Sequence, residues 1–139
     1  MRLKLLQLLA TTLGLVASAY AVAPFATARF EKKFEGTDKT MPITSARLDD
    51  HVCIRIRDVS TPDGDHSLKL VIYDGGAREV HQSIHAITVE DGKWSYKLCS
   101  DFDPKRDIPG TWWYVAELDD EPLVSKELVV APIQATTAG

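Results

Sequence analysis

The chain has 139 residues, with 16 Lys and Arg against 20 Asp and Glu, a formal net charge of −4. An acidic balance repels phosphate backbones, so nucleic acid is not an expected partner. The length suits a single domain with one modest core.

Arg2 and Lys4 flank a Leu-rich start, an apolar run extends from Leu8 to Ala19, and Ala17-Ser18-Ala19-Tyr20-Ala21 supplies small residues behind it. A basic n-region, an apolar h-region and an Ala-x-Ala site make a secretory signal peptide, expected over residues 1–21. Cleavage after Ala19 or Ala21 fits, because a cut after Ala23 would put Pro24 at the scissile bond. The competing reading is an uncleaved anchor, since the run nearly reaches the ~20 residues that span a bilayer. The small-residue site and the lack of a basic stop-transfer cluster favour cleavage, with no stable membrane insertion afterwards. The expected location is therefore periplasmic or secreted. Without Arg2 and Lys4, 14 basic residues face 20 acidic ones, a net charge of −6.

Residues 22–41 are expected as an N-terminal segment ahead of a domain spanning 42–131, with a flexible tail over 132–139. Phe30 and Phe34 stand four apart, which suits one helical turn or both ends of a first strand, and Gly36 to Pro42 is a polar connection. The remainder alternates with period two between turn signals, the signature of strands. Val52 to Arg57 puts Val52, Ile54 and Ile56 on one face and Cys53, Arg55 and Arg57 on the other. Thr61-Pro62-Asp63-Gly64 is a turn. Leu68 to Tyr73 sets Leu68, Leu70 and Ile72 opposite Lys69, Val71 and Tyr73. Glu79 to Val89 is one bulged strand or two short ones, and Asp91-Gly92 is a strong hairpin turn. Lys93 to Cys99 turns Trp94, Tyr96 and Leu98 inward. Asp101 to Pro109 is a loop, Gly110 to Leu118 turns Trp112, Tyr114, Ala116 and Leu118 inward, and Leu123 to Val130 is the last strand.

An even pair of cysteines in an exported chain is expected to form a disulfide, Cys53 to Cys99. The loop it closes holds 45 residues, for which chain entropy predicts roughly 3 to 5 kcal/mol.

Short strands at this turn spacing, without a helix, predict an all-β sandwich of about seven strands. Two stretches carry a likeness to a known architecture. One is Arg47-Leu48-Asp49-Asp50-His51-Val52-Cys53-Ile54, and the other Pro109-Gly110-Thr111-Trp112 at the head of a strand ending in Asp119-Asp120. The chain resembles bacterial immunoglobulin-like domains over most of residues 42–130. That resemblance implies an antiparallel sandwich and carries over no catalytic residue. With strands lettered in immunoglobulin order, Cys53 starts strand B and Cys99 ends strand E. Both share a face with basic residues, so the disulfide is expected across neighbouring strands on an outer face.

The opposite sheet, strands C, F and G, turns Tyr73, Val71, Trp113 and Val115 outward by the same parity. Apolar patches of this kind mark partner surfaces, and Trp and Tyr are favoured anchors. The rival expectation is that Phe25, Phe30 and Phe34 fold over this face.

His81 and His85 invite a metal reading, but positions i and i+4 of a strand stand ~13 Å apart. The expectation is no metal and no other cofactor. Asp63/Asp65 and Asp101/Asp103 supply too few oxygens for calcium and are expected to cap turns. There is no nucleophile elbow and no phosphate loop, so an enzyme is not expected. The expected function is an exported, non-catalytic binding or accessory module of the bacterial envelope, meeting a protein partner or a second copy through the apolar face. The alternatives are a periplasmic copper or zinc protein using His81 and His85, and a small hydrolase inhibitor presenting the 101–109 loop.

Overall fold

A computed structural model describes residues 26–133; the expected signal peptide (1–21) lies outside them, as do residues 22–25 and 134–139. The described chain forms nine strands and no helix: β1 (Thr27–Lys33), β2 (Thr40–Ile43), β3 (Ser45–Arg47), β4 (His51–Asp58), β5 (Gly64–Tyr73), β6 (Glu79–Val89), β7 (Trp94–Asp101), β8 (Gly110–Leu118) and β9 (Glu121–Ala131). They build two sheets, β2-β1-β4-β7 and β3-β9-β8-β5-β6. All pairings are antiparallel except β3 with β9.

Alternation explains the layers. Val52, Ile54 and Ile56 of β4 and Leu68, Leu70 and Ile72 of β5 are buried between the sheets, with Trp112, Tyr114, Leu128 and Val130. Tyr96 and Leu98 also belong to the inner layer but stay half-buried, because β7 is an outermost strand.

Three expectations need correction. The sandwich begins at β1, so the segment 22–41, expected to stand ahead of the domain, contributes β1 and the start of β2. Phe30 is the reason: it lies opposite Ile54 in the register and packs edge-on against Tyr114 with centroids 4.8 Å apart. The strand count is nine because β2 and β3, at four and three residues, are too short to show a period. Pro42 is tolerated in β2 because that strand lies on an edge.

The third concerns Asp91-Gly92. Both residues take positive φ (58° and 73°), as a two-residue primed turn requires. Only Glu90 and Lys93 pair across it, however. Beyond that bridge β6 and β7 separate into different sheets, so the turn is a sheet switch and not the tip of a ladder. Glu79–Val89 is a single strand, with an irregularity opposite Ile72 and Tyr73.

Candidate functional site

The outer face of the five-stranded sheet is built by register. Tyr73 of β5 lies opposite Trp113 of β8, and Val71 opposite Val115. Trp112 is 2% exposed and Trp113 44%, so the parity expected of β8 holds. Val71 shares the outward parity of Tyr73 but is buried, at 6% exposed, which corrects the expectation that it lies open on this face. On the far side β9 pairs with β8 until the register shifts between Ala116 and Glu117, which leaves Leu123 as an extra residue between the partners Val124 and Pro122. That irregularity lifts Pro122 and Leu123 into the wall of a hollow of about 480 Å³, which Tyr73, Ala77, Trp113 and Val115 also line.

Phe30 and Phe34 do not cover this face. Phe30 lies in the core, and Phe34 is exposed beyond β1, beside Lys33, Glu35, Gly36 and His51. Phe25 lies outside the described residues.

One end of the hollow is held by a residue that sequence reasoning passed over. Asp74 is 1% exposed. Its Oδ1 accepts from the backbone N–H of Gly76 and Arg78, and its Oδ2 from the Ile108 N–H and the Arg78 guanidinium. Burial pushes its carboxyl up, but the Arg78 and Gly76 hydrogen bonds outweigh it and hold the group below the usual carboxylate range. The turn carrying Ala77 is thereby fixed against the loop between β7 and β8. That loop, the inhibitor candidate, is tied to its own scaffold: Asp107 accepts from the Asp103 N–H and from Arg106, and Arg78 donates to the Arg106 carbonyl at 2.6 Å.

The disulfide joins Cys53 and Cys99, which are direct register partners on β4 and β7. Their Cα atoms are 3.9 Å apart, closer than the usual range. Beside it lies Glu31, 1% exposed. It accepts from Arg29 (2.8 Å), Thr40 (2.9 Å) and Arg55 (3.1 Å). Burial raises its pKa, but these donors bring it down to about 2. No short motif announces Glu31, since Arg55 and Thr40 reach it only through strand pairing.

His81 and His85, i and i+4 on one strand, are joined through a single side chain. Both Nε2 atoms meet Ser83 Oγ, at 3.0 and 2.7 Å, and His85 Nδ1 meets the Tyr96 hydroxyl at 2.8 Å. All four residues face inward where β6 and β7 part. Among the described residues no group of three or more His, Cys, Asp or Glu is placed to hold a metal ion. Of the aspartates weighed for calcium, Asp103 caps its own loop by accepting from the Lys105 N–H; the others meet groups distant in sequence, Asp63 accepting from the Gly92 N–H, Asp65 from the Thr88 hydroxyl, and Asp101 pairing with His51.

No protein-family model matches the chain, and no curated protein matches it in sequence. Among solved structures, an immunoglobulin-like protein from Pseudomonas aeruginosa is 14% identical and aligns with a TM-score of 0.50, covering 75% of this chain and 91% of that one. The sandwich is immunoglobulin-like, as the sequence resemblance implied. At that identity the likeness is one of fold.

Proposed function

We propose that the chain is an exported, non-catalytic binding or accessory module of a bacterial envelope, which contacts a protein partner through Tyr73, Trp113 and Val115, with Val71 buried among them. One observation carries this reading. An exposed tryptophan stands over an apolar hollow on a sheet face that no described residue of the chain covers. A large aromatic held on a rigid strand, beside a fixed turn, loses little freedom on binding and desolvates a large area. Export is supported by the N-terminal pattern of Arg2, Lys4 and Ala17 to Ala21, and by a disulfide, which persists in oxidising compartments.

Two measurements test the proposal. N-terminal sequencing of the protein from an envelope fraction should begin at Tyr20 or Val22. A photo-crosslinking residue at position 113 should capture a partner that the same probe at Ser95, on the outer face of the other sheet, does not. With that partner purified, Trp113→Ala should weaken binding by at least ~2 kcal/mol and leave the fold intact. Equal capture from both positions, or unchanged affinity, would remove the face from consideration.

A further inference from the structure

The two sheets end in four outer strands, and three are protected against further pairing. β2 has four residues and contains Pro42, and β3 has only three. β7 presents Lys97, the kind of charge that discourages edge-to-edge contact. The fourth, β6, has no such guard. It runs eleven residues and, from Val80 to Val89, carries no Lys, Arg, Asp, Glu or Pro. Its ladder with β5 uses one side of the strand, and its backbone over that stretch makes no further hydrogen bond among the described residues. Ile84, at its middle, is 66% exposed, the highest among the large exposed hydrophobic residues. A long, uncharged edge with an exposed apolar centre is a template for another strand.

We propose that a second copy of this chain occupies that edge, its β6 pairing antiparallel with this β6 about a two-fold axis at Ile84. The side chains favour self-pairing in this register. Ile84 meets Ile84, Gln82 meets Ala86 on the outer face, and Ser83 meets His85 on the inner one. A register shifted by one residue toward Ser83 would instead set His81 against His85, an unfavourable contact whenever both are charged. The ends are complementary as well. Arg78 and Glu90 lie six residues either side of Ile84, so antiparallel pairing brings Arg78 of each copy to the end of the ladder where Glu90 of the other lies. The product is a continuous ten-stranded sheet with both Trp113 faces on one side. The pairing does not depend on the function proposed for those faces.

Sedimentation of the mature protein should show a concentration-dependent dimer. Ile84→Lys, which sets like charges opposite each other at an exposed position, should raise the dissociation constant at least about tenfold with the thermal melt unchanged. An equimolar mixture of Ile84→Lys and Ile84→Glu should recover the dimer as a heterodimer. Because both native cysteines are paired, Ile84→Cys should oxidise to a linked dimer and Thr88→Cys should not. A monomer at all concentrations would overturn the proposal, as would a dimer indifferent to Ile84→Lys or equal linkage from position 88. An edge that stays monomeric but captures a strand of another protein would overturn it too.

Discussion

Trp112 and Trp113 are neighbours in β8, yet one is 2% exposed with its indole N–H donating to the Ile108 carbonyl at 2.8 Å, and the other is 44% exposed over the apolar hollow. Successive side chains of a strand point to opposite faces, so this one dipeptide supplies an anchor to the core and another to the surface.

The two tryptophans should therefore separate under mutation. Trp112→Ala leaves a cavity beside Phe102, whose ring meets the indole edge-on at 4.9 Å, and should cost about 3 to 5 kcal/mol. Trp113→Ala should cost less than about 1 kcal/mol of stability. Denaturant unfolding of both variants checks this, and equal losses would mean that Trp113 is structural.

The disulfide should stabilise chiefly through the unfolded state. Cys53 and Cys99 are 46 apart in sequence, and replacing both with alanine should lower stability by roughly 3 to 5 kcal/mol. Denaturation midpoints with and without reductant measure the difference, and β4 and β7 should still pair in the surviving folded state.

Much of this fold was legible because its central strands have one face in the core. Alternation over Val52 to Arg57, Leu68 to Tyr73 and Gly110 to Leu118 assigned the inner and outer residues, and the cysteine parity followed from the same count. The edges were not legible. Phe30 and Phe34 stand four apart, a spacing shared by helix and strand, and a three-residue strand such as β3 has no period to read. Glu31 and Asp74 were hidden for another reason: what buries them comes from elsewhere in the chain, Thr40 and Arg55 reaching Glu31 by strand pairing and the Ile108 N–H closing over a turn that Asp74 otherwise caps locally. The imidazoles of His81 and His85 both lean toward Ser83, so their backbone separation misjudged how near the rings come.

Acid should act through Glu31. Its folded pKa lies at about 2, against an ordinary 4.5, so the group stabilises the fold fully above pH 4.5 and loses that contribution as pH falls from 4.5 toward 2. Glu31→Gln should be less stable than the natural chain at pH 6 and should approach it through that window. Thermal melts of the pair from pH 6 to pH 2 read the convergence. Parallel curves would show that the carboxylate charge is not what Arg29 and Arg55 hold.

His66 should act in the opposite sense. Its Nδ1 meets Asp119 at 2.6 Å and its Nε2 the Pro62 carbonyl at 2.7 Å, and the Asp119 hydrogen bond, then the Pro62 carbonyl, raise its pKa above 6.5. The imidazolium clamps the loop between β4 and β5 to the turn between β8 and β9. A raised pKa makes this contribution complete below pH 6.5 and lost as pH rises through the folded value. The stability gap between the natural chain and His66→Gln should narrow accordingly, and proton NMR of the imidazole should report the raised pKa.

Gly75 sets the position of the turn that walls the hollow. A Cβ placed there would stand 1.9 Å from the Pro109 carbonyl oxygen and 2.8 Å from the Gly110 nitrogen, both backbone atoms that cannot rotate away. The Gly75 N–H also donates to the Ile108 carbonyl at 2.9 Å, so turn and loop meet main chain to main chain. Gly75→Ala must push them apart, straining the Asp74 hydrogen bonds to Ile108 and Arg78, and should cost about 1 to 3 kcal/mol. The displacement should also reach Ala77 and the Trp113 hollow, shifting Trp113 fluorescence in protein that remains folded. At the neighbouring Gly76 a Cβ meets no backbone atom closely, its one tight contact being the movable Ile108 side-chain tip at 2.9 Å with Asp74 Oδ1 at an ordinary 3.5 Å, so Gly76→Ala should be milder on both counts. If the two substitutions behave alike, the close backbone approach at Gly75 does not hold that wall.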